Sequence, residues 1–340
     1  MYKMNDRITL DYGSGGLKTS ELIDSILLPA FDNPSLAQLG DGALLEGNER
    51  LAFSTDSFVV SPWSFPGGDI GKLSVCGTVN DLCMAGGTPK YLSLSFILEE
   101  GFLFSDFRQI VASIAREAQD AGVTIVTGDT KVVDSGKGDG IYINTSGIGF
   151  QRASLPGKTR IRPGDDILVS GTVGCHGAAV MMARSGLLRD DSPLKSDCQS
   201  LHQISAAALD AGASESLIRI LRDPTRGGIA TTLNEFTEGM PFSIELTEND
   251  IPIDPSVEAA CDMLGLDPLY CACEGRMLLV CDPSATQNIL AAVRALPGGE
   301  NAARIGTVTE EMPGKVLLRT PIGGRRILSK LTGTQLPRIC

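Results

Sequence analysis

The sequence predicts an α/β protein of two domains followed by a short tail. Three observations carry that reading. The chain has 340 residues, more than one hydrophobic core usually spans. Segments of helical and strand period alternate through both halves. Around residues 156–165, PGKTRIRPGDD interrupts them with two Pro-Gly steps and dense charge. The expected division is 1–160, 161–335 and a mobile tail at 336–340.

Residues 51–60, LAFSTDSFVV, read as a strand interrupted by an Asp-Ser step. Residues 69–85 read as a helix, with Ile70, Leu73, Cys76, Val79 and Cys83 at helical spacing. Asp69 can cap it, and Gly86-Gly87 followed by Pro89 can end it. Residues 91–98 alternate as a half-buried strand does, and 105–121 carries Phe107, Ile110, Val111, Ile114 and Ala118 on one helical face. Strands are expected at 123–127 and 140–148, and ILVSG begins another after the break. Further helices are expected near 177–187, 199–210, 228–238 and 284–295, the last with capping-box spacing from Ser284 to Gln287. Strands follow at 276–281 and 302–308. RRILSKLTG reads as helical or turn-like, and nothing in TQLPRIC suggests a packed element.

Composition excludes several classes. With 42% hydrophobic residues the chain has ample apolar surface to bury, which excludes whole-chain disorder. A formal charge of -12 is the wrong sign for a general nucleic-acid surface. No apolar run reaches the ~18 residues of a membrane span, and MYKMNDRITL lacks the apolar stretch of a signal peptide. Nine scattered cysteines do not suggest a disulfide scaffold, and with only His176 and His202 a His-rich metal centre is excluded. Most of the cysteines read as small core hydrophobes of a cytoplasmic protein.

The chemistry is carried by glycines and carboxylates. Gly13-Ser14-Gly15-Gly16 can wrap an anion with backbone N–H groups, or be a plain flexible loop. Asp41, Asp56, Asp81, Asp129 and Asp223 each stand beside glycine or polar turn residues. Carboxylates are the hard ligands magnesium requires, and the metal then bridges to phosphate; capping is the competing explanation, a poor one for Asp81 inside a helical pattern. In Asp223-Pro224-Thr225-Arg226-Gly227-Gly228 the glycines let phosphate approach a helix N-terminus, with Arg226 as an added contact. A rigid loop pairing Arg226 with Asp223 is the other reading. Lys131 shares a strand face with Asp129, for phosphate and proton transfer or for an ordinary ion pair. Glu274 can be a general base or a paired structural acid. A nucleophilic Cys175 is not expected, and His176 reads as a turn or helix-start residue near phosphate.

Taken in order, GSGG, FSTDSFVV with the long run that follows it, VTGDTKVV, RPGDDILVSGTVGCHGAAV, LRDPTRGG, LGLDPLYCACEGR and the terminal LPRIC resemble a known family. It is the HypE family of hydrogenase-maturation factors, in the aminoimidazole ribonucleotide synthetase (PurM-like) superfamily. The resemblance runs from about residue 8 to residue 340. It implies an N-terminal ATP-binding domain that forms a homodimer, and a C-terminal PurM-like domain. It also implies that the carbamoyltransferase HypF loads a carbamoyl group on Cys340. ATP then activates the carboxamide oxygen, loss of water leaves a thiocyanate, and cyanide passes to iron on a HypC–HypD scaffold. By the same resemblance Lys131 and Glu274 join Cys340 in catalysis. Gly15, Gly16, Asp56, Lys131, Asp223, Arg226 and Gly227 hold ATP, and Asp41, Asp81, Asp129 and Asp223 hold Mg2+.

Two positions depart from the family pattern. Cys175 stands where an aspartate is common and Cys273 where an asparagine is common, which removes two polar side chains from the presumed site. Two rivals remain open: another superfamily enzyme acting on a small amide or phosphorylating a small substrate, and a non-catalytic scaffold for metallocentre assembly.

Overall fold

A computed structural model describes residues 7–9, 12, 21–33, 50–188, 192–212, 217–330 and 339–340. Each half of the chain is organised around its own sheet. In the first half, β1 (Leu51–Phe58), β4 (Gly87–Glu99), β5 (Thr124–Val133) and β6 (Ile141–Gln151) form a sheet in the order β1-β6-β4-β5. Only the β4–β5 pair is parallel. The short β2 (Ser64–Phe65) and β3 (Gly68–Asp69) make a separate ribbon.

Strand alternation decides what each face carries. Ala52 and Phe58 of β1 are buried under helix α1 (Ile70–Met84), while Leu51 and Phe53 point away, 52% and 68% exposed. Asp69 caps α1 by accepting the Lys72 N–H at 2.8 Å. This helix is buried on all sides, as a helix lying between two packed layers must be. It packs on the first sheet and on α2 (Phe104–Asp120), and it also meets elements of the second half. The α1–α2 crossing is close: a Cβ on Gly71 would lie 2.5 Å from the Ile110 carbonyl.

The second half builds a seven-stranded sheet in the order β13-β12-β9-β11-β7-β10-β8. Its strands are β7 (Asp166–Val169), β8 (Ile218–Arg222), β9 (Ser243–Thr247), β10 (Leu278–Cys281), β11 (Ala303–Thr309), β12 (Val316–Arg319) and β13 (Arg325–Leu328). Among the described residues five α-helices accompany it: α3 (Cys175–Ser185), α4 (His202–Ala211), α5 (Gly228–Thr237), α6 (Pro255–Leu264) and α7 (Pro283–Arg294). One hydrophobic cluster runs from Phe58 and Leu73 in the first half to Leu201 and Leu279 in the second. A second lies within the C-terminal sheet, around Ile167, Phe236 and Val280.

Several expectations are corrected. β1 is not interrupted at Asp56; its ladder with β6 continues through Asp56↔Thr145 and Ser57↔Asn144. β5 does not stop at Thr127. It continues through Gly128-Asp129-Thr130-Lys131, and a Cβ at position 128 would lie 2.3 Å from the Leu94 carbonyl of β4. Arg325–Leu328, expected as helical or turn-like, is a strand paired with β12. The cap of α7 is Asp282, whose side chain accepts from Ser284 N–H, so Ser284 lies inside the helix and is not its cap.

Candidate active site

Ile339 and Cys340 are tied to both halves of the chain. Val59 N–H, one residue past the end of β1, donates to the Cys340 carbonyl at 3.1 Å. The Ile339 carbonyl lies 2.6 Å from His176 Nε2, and Ile339 is 4% exposed. The absence of a packed element, expected for this segment, is therefore wrong at its end. Val59, just past the β1 ladder, gives its N–H to the terminus, and the buried His176 imidazole is a second partner. Neither is legible from five terminal residues.

The Cys340 side chain sits among the predicted acids. Burial pushes its thiol up to about 12, with the negative charges of Glu274 and Asp56 adding to the rise and Arg226 opposing it. Asp223 is pushed to about 7, first by burial and then by Asp81, with Asp56 contributing further. Asp56 is raised by burial and by Asp81, and lowered by Ser57 N–H and by Arg226. Asp81 is oriented by the Ser54 hydroxyl, which donates to its Oδ2 at 2.6 Å. Negative charges that raise Asp56 and Asp223 are relieved by a divalent cation, so the chemistry of this group of carboxylates fits Mg2+. Among the described residues, no three His, Cys, Asp or Glu side chains are placed closely enough to hold one metal ion.

Glu274 is 2% exposed, and its Oε1 is buried without a hydrogen-bond partner. Burial raises its pKa well above 4.5, and Asp223, Asp197 and Asp56 push the same way. The surrounding backbone is held by two side chains, Asp197 and Asn80. Asp197 Oδ1 accepts the N–H of His176 at 2.9 Å and, at 3.4 Å, that of Glu274, and Oδ2 accepts Gly275 N–H at 3.3 Å. Asn80 of α1 donates to the Glu274 carbonyl at 3.1 Å and accepts Leu201 N–H at 2.7 Å. Position 275 requires glycine because a Cβ would lie 1.9 Å from the Asp197 carbonyl. A buried acid with one oxygen unsatisfied, on a braced turn, can exchange a proton with a bound group.

The structure thus brings together Asp56, Asp81, Asp223, Arg226, Glu274 and Cys340. Gly227 stands with them as the left-handed N-cap of α5, at φ 73°. It does not bring in Asp129 and Lys131. The register aligns Ser57, Asn144, Ser95 and Asp129 in one row, so Asp129 lies on the sheet face opposite Asp56. There it accepts from Lys131 Nζ at 2.8 Å, with both side chains more than half exposed. Gly15, Gly16 and Asp41 lie outside the described residues. Cys175 packs inward with Cys261 and Cys271, and Cys273 Sγ accepts Gly174 N–H at 3.1 Å. Sequence reasoning missed Asn80 and Asp197. Asp197 stands in no motif, while Asn80 is adjacent to Asp81 and could have been read as part of the same helical turn.

A two-domain α/β chain in which Asp56, Asp81, Asp223 and Glu274 gather near a helix begun by glycines has the features of an enzyme of the AIR synthase class. Consistently, residues 39–151 match the AIR synthase related protein, N-terminal domain, and residues 162–318 match its C-terminal domain. The carbamoyl dehydratase HypE of Cupriavidus necator is 48% identical over 337 residues, covering 98% of this chain and 95% of the relative. A crystal structure of hydrogenase maturation protein HypE in complex with ATP superposes with a TM-score of 0.92 at 46% identity, covering 98% of this chain and 99% of the other. The chain of a HypE–HypF complex does so with a TM-score of 0.77 at 42% identity, covering 91% and 99%. This chain belongs to the HypE family of carbamoyl dehydratases.

Proposed function

We propose that this protein dehydrates a carbamoyl group carried on its own Cys340, leaving a thiocyanate. The observation that carries this is the seat of the thiol beside Glu274, Asp56 and Arg226, at the end of a tail bound through Val59 and His176. The reaction converts the S-bound carboxamide and ATP to an S-bound nitrile, ADP, hydrogen phosphate and a proton. One C–O bond breaks, the carbon–nitrogen bond becomes triple, and the nitrogen loses both protons. ATP with Mg2+ supplies the phosphoryl group that makes the carboxamide oxygen a leaving group. Asp56, Asp81 and Asp223 are not gathered closely enough to hold Mg2+ by themselves; Asp41 and the phosphate oxygens of ATP would complete its shell. Arg226 and the start of α5 at Gly227 would meet phosphate, joined by Gly15 and Gly16. Glu274 accepts an N–H proton through its unpartnered Oε1. The ordinary thiol is a poor nucleophile in this seat, which fits loading by a partner elsewhere and return of the tail for dehydration.

HypF is the partner we assign to that loading, with a HypC–HypD scaffold receiving the cyanide; a HypE 42% identical to this chain has been solved in a complex with HypF. A homodimer would cover the outer face of the first sheet, where Leu51, Phe53 and Ile97 are 52%, 68% and 44% exposed. Asp129 and Lys131 lie on that face, so dimerisation is also the route by which they would join a site. We take the domains to be 1–160, 161–335 and the tail 336–340, which fits one sheet built from 51–151 and another from 166–328. No described helix is long and apolar enough to cross a membrane, and a cytoplasmic setting suits nine free cysteines.

The test is intact-mass analysis after incubation with the carbamoyltransferase, carbamoyl phosphate and ATP. Wild type gains the carbamoyl mass and then loses one water. Cys340→Ala gains neither, and Glu274→Gln keeps the carbamoyl mass. A cyano adduct on another cysteine of the Cys340→Ala variant would sink the assignment.

A further inference from the structure

We propose that His176 is a positioning residue: its Nε2–H holds the Ile339 carbonyl and thereby seats Cys340 beside Glu274, as a reversible latch on the tail. The inference rests on the reading of Cys340 as the acceptor and adds the group that docks it.

The hydrogen bonds run one way. A carbonyl can only accept, so the nitrogen 2.6 Å from Ile339 O carries the hydrogen. Nδ1 then accepts from the Ser196 hydroxyl at 2.8 Å, and Ser196 Oγ accepts Cys198 N–H at 3.0 Å. Every member of the relay has its role assigned by the next. The ring is fully buried and edge-on to Phe65, at a centroid distance of 5.2 Å. Burial holds its pKa below the ordinary value, which keeps a single neutral tautomer.

The latch and the base share one support. Asp197 Oδ1 accepts the backbone N–H of both His176 and Glu274. The residue that holds the tail carbonyl is therefore anchored by the same side chain that braces the turn carrying the proton acceptor. A backbone carbonyl is also the right handle for a tail whose cysteine changes chemistry, because its hydrogen bond is the same for thiol, carbamoyl and cyano forms. A latch of one imidazole and one Val59 N–H can release for loading and delivery.

Two substitutions separate positioning from packing. His176→Phe keeps a ring of similar size and removes the donor. His176→Gln restores a donor near the Nε2 position. The first readout is alkylation of unmodified Cys340 by iodoacetamide, mapped by mass, which needs neither ATP nor partner. The second is the rate of water loss from chain already carbamoylated. His176→Phe should raise the alkylation rate and slow water loss, each by about tenfold, as expected for losing one buried hydrogen bond. His176→Gln should recover most of both. Wild-type rates in His176→Phe would overturn the latch. Equal impairment in Phe and Gln would also overturn it, in favour of a packing role. If wild-type Cys340 is never carbamoylated, the acceptor reading fails, while the alkylation ratio still decides whether His176 docks the tail.

Discussion

Replacing Asp223 with Asn probes the electrostatic strain of the site. Asp223 is 8% exposed, and burial, with Asp81 and Asp56 adding repulsion, moves its pKa from 3.8 to about 7. An acid with a raised folded pKa keeps its proton longer in the folded state than in the unfolded one. Folded stability therefore falls as pH rises from about 4 to about 7, and stays low above that. Roughly three pKa units at ~1.36 kcal/mol each set a ceiling of about 4 kcal/mol. By about pH 5 some 1.6 kcal/mol of this has been lost, by the same arithmetic. Asn never ionises, so Asp223→Asn should gain about 2–3 kcal/mol relative to wild type between about pH 5 and about pH 8. Urea unfolding at the two pH values measures this directly. The same variant should lose the stabilisation that magnesium and ATP confer on wild type. A stability difference that is the same at both pH values would refute the reasoning, since it would mean that Asp223 titrates alike in both states.

Two further outcomes follow from the geometry. Gly275→Ala places a Cβ 1.9 Å from the Asp197 carbonyl, so it should cost about 3 kcal/mol in denaturant unfolding and slow dehydration more than it weakens nucleotide binding; unchanged dehydration would detach the 274–275 turn from the site. Lys131→Ala breaks the ion pair with Asp129 and should slow water loss from the carbamoylated chain on the order of a hundredfold, with loading intact. A normal rate, with the dimer unaffected in sedimentation, would leave Lys131 a surface ion pair.

Much of the fold was legible because period and caps are local. The helix at 69–85 announced itself by apolar spacing and by Asp69, and it forms as Ile70–Met84 with that cap. The helix at 105–121 forms as Phe104–Asp120 on the expected face. What local pattern missed was set by pairing. Arg325–Leu328 is a strand because β12 lies beside it, and GDTK stays in β5 because Gly128 lets the strand run close to β4. Ser284 to Gln287 had the spacing of a capping box, yet Asp282 two residues earlier is the cap.

The site divides along the same line. Residue type and spacing determined which groups can do the chemistry: carboxylates beside glycines, Glu274 in its turn, and a cysteine at the end of the chain. Those are properties of side chains and of local backbone freedom, written residue by residue. Which of them meet was decided only by tertiary structure. Asp56 and Asp129 look alike in sequence, but strand parity and register put them on opposite faces of one sheet. Asp197 and His176 acquire their roles because the second half folds them against Glu274 and Ile339. A carboxylate's chemistry belongs to the residue, but its partners and its pKa belong to whatever the chain packs around it.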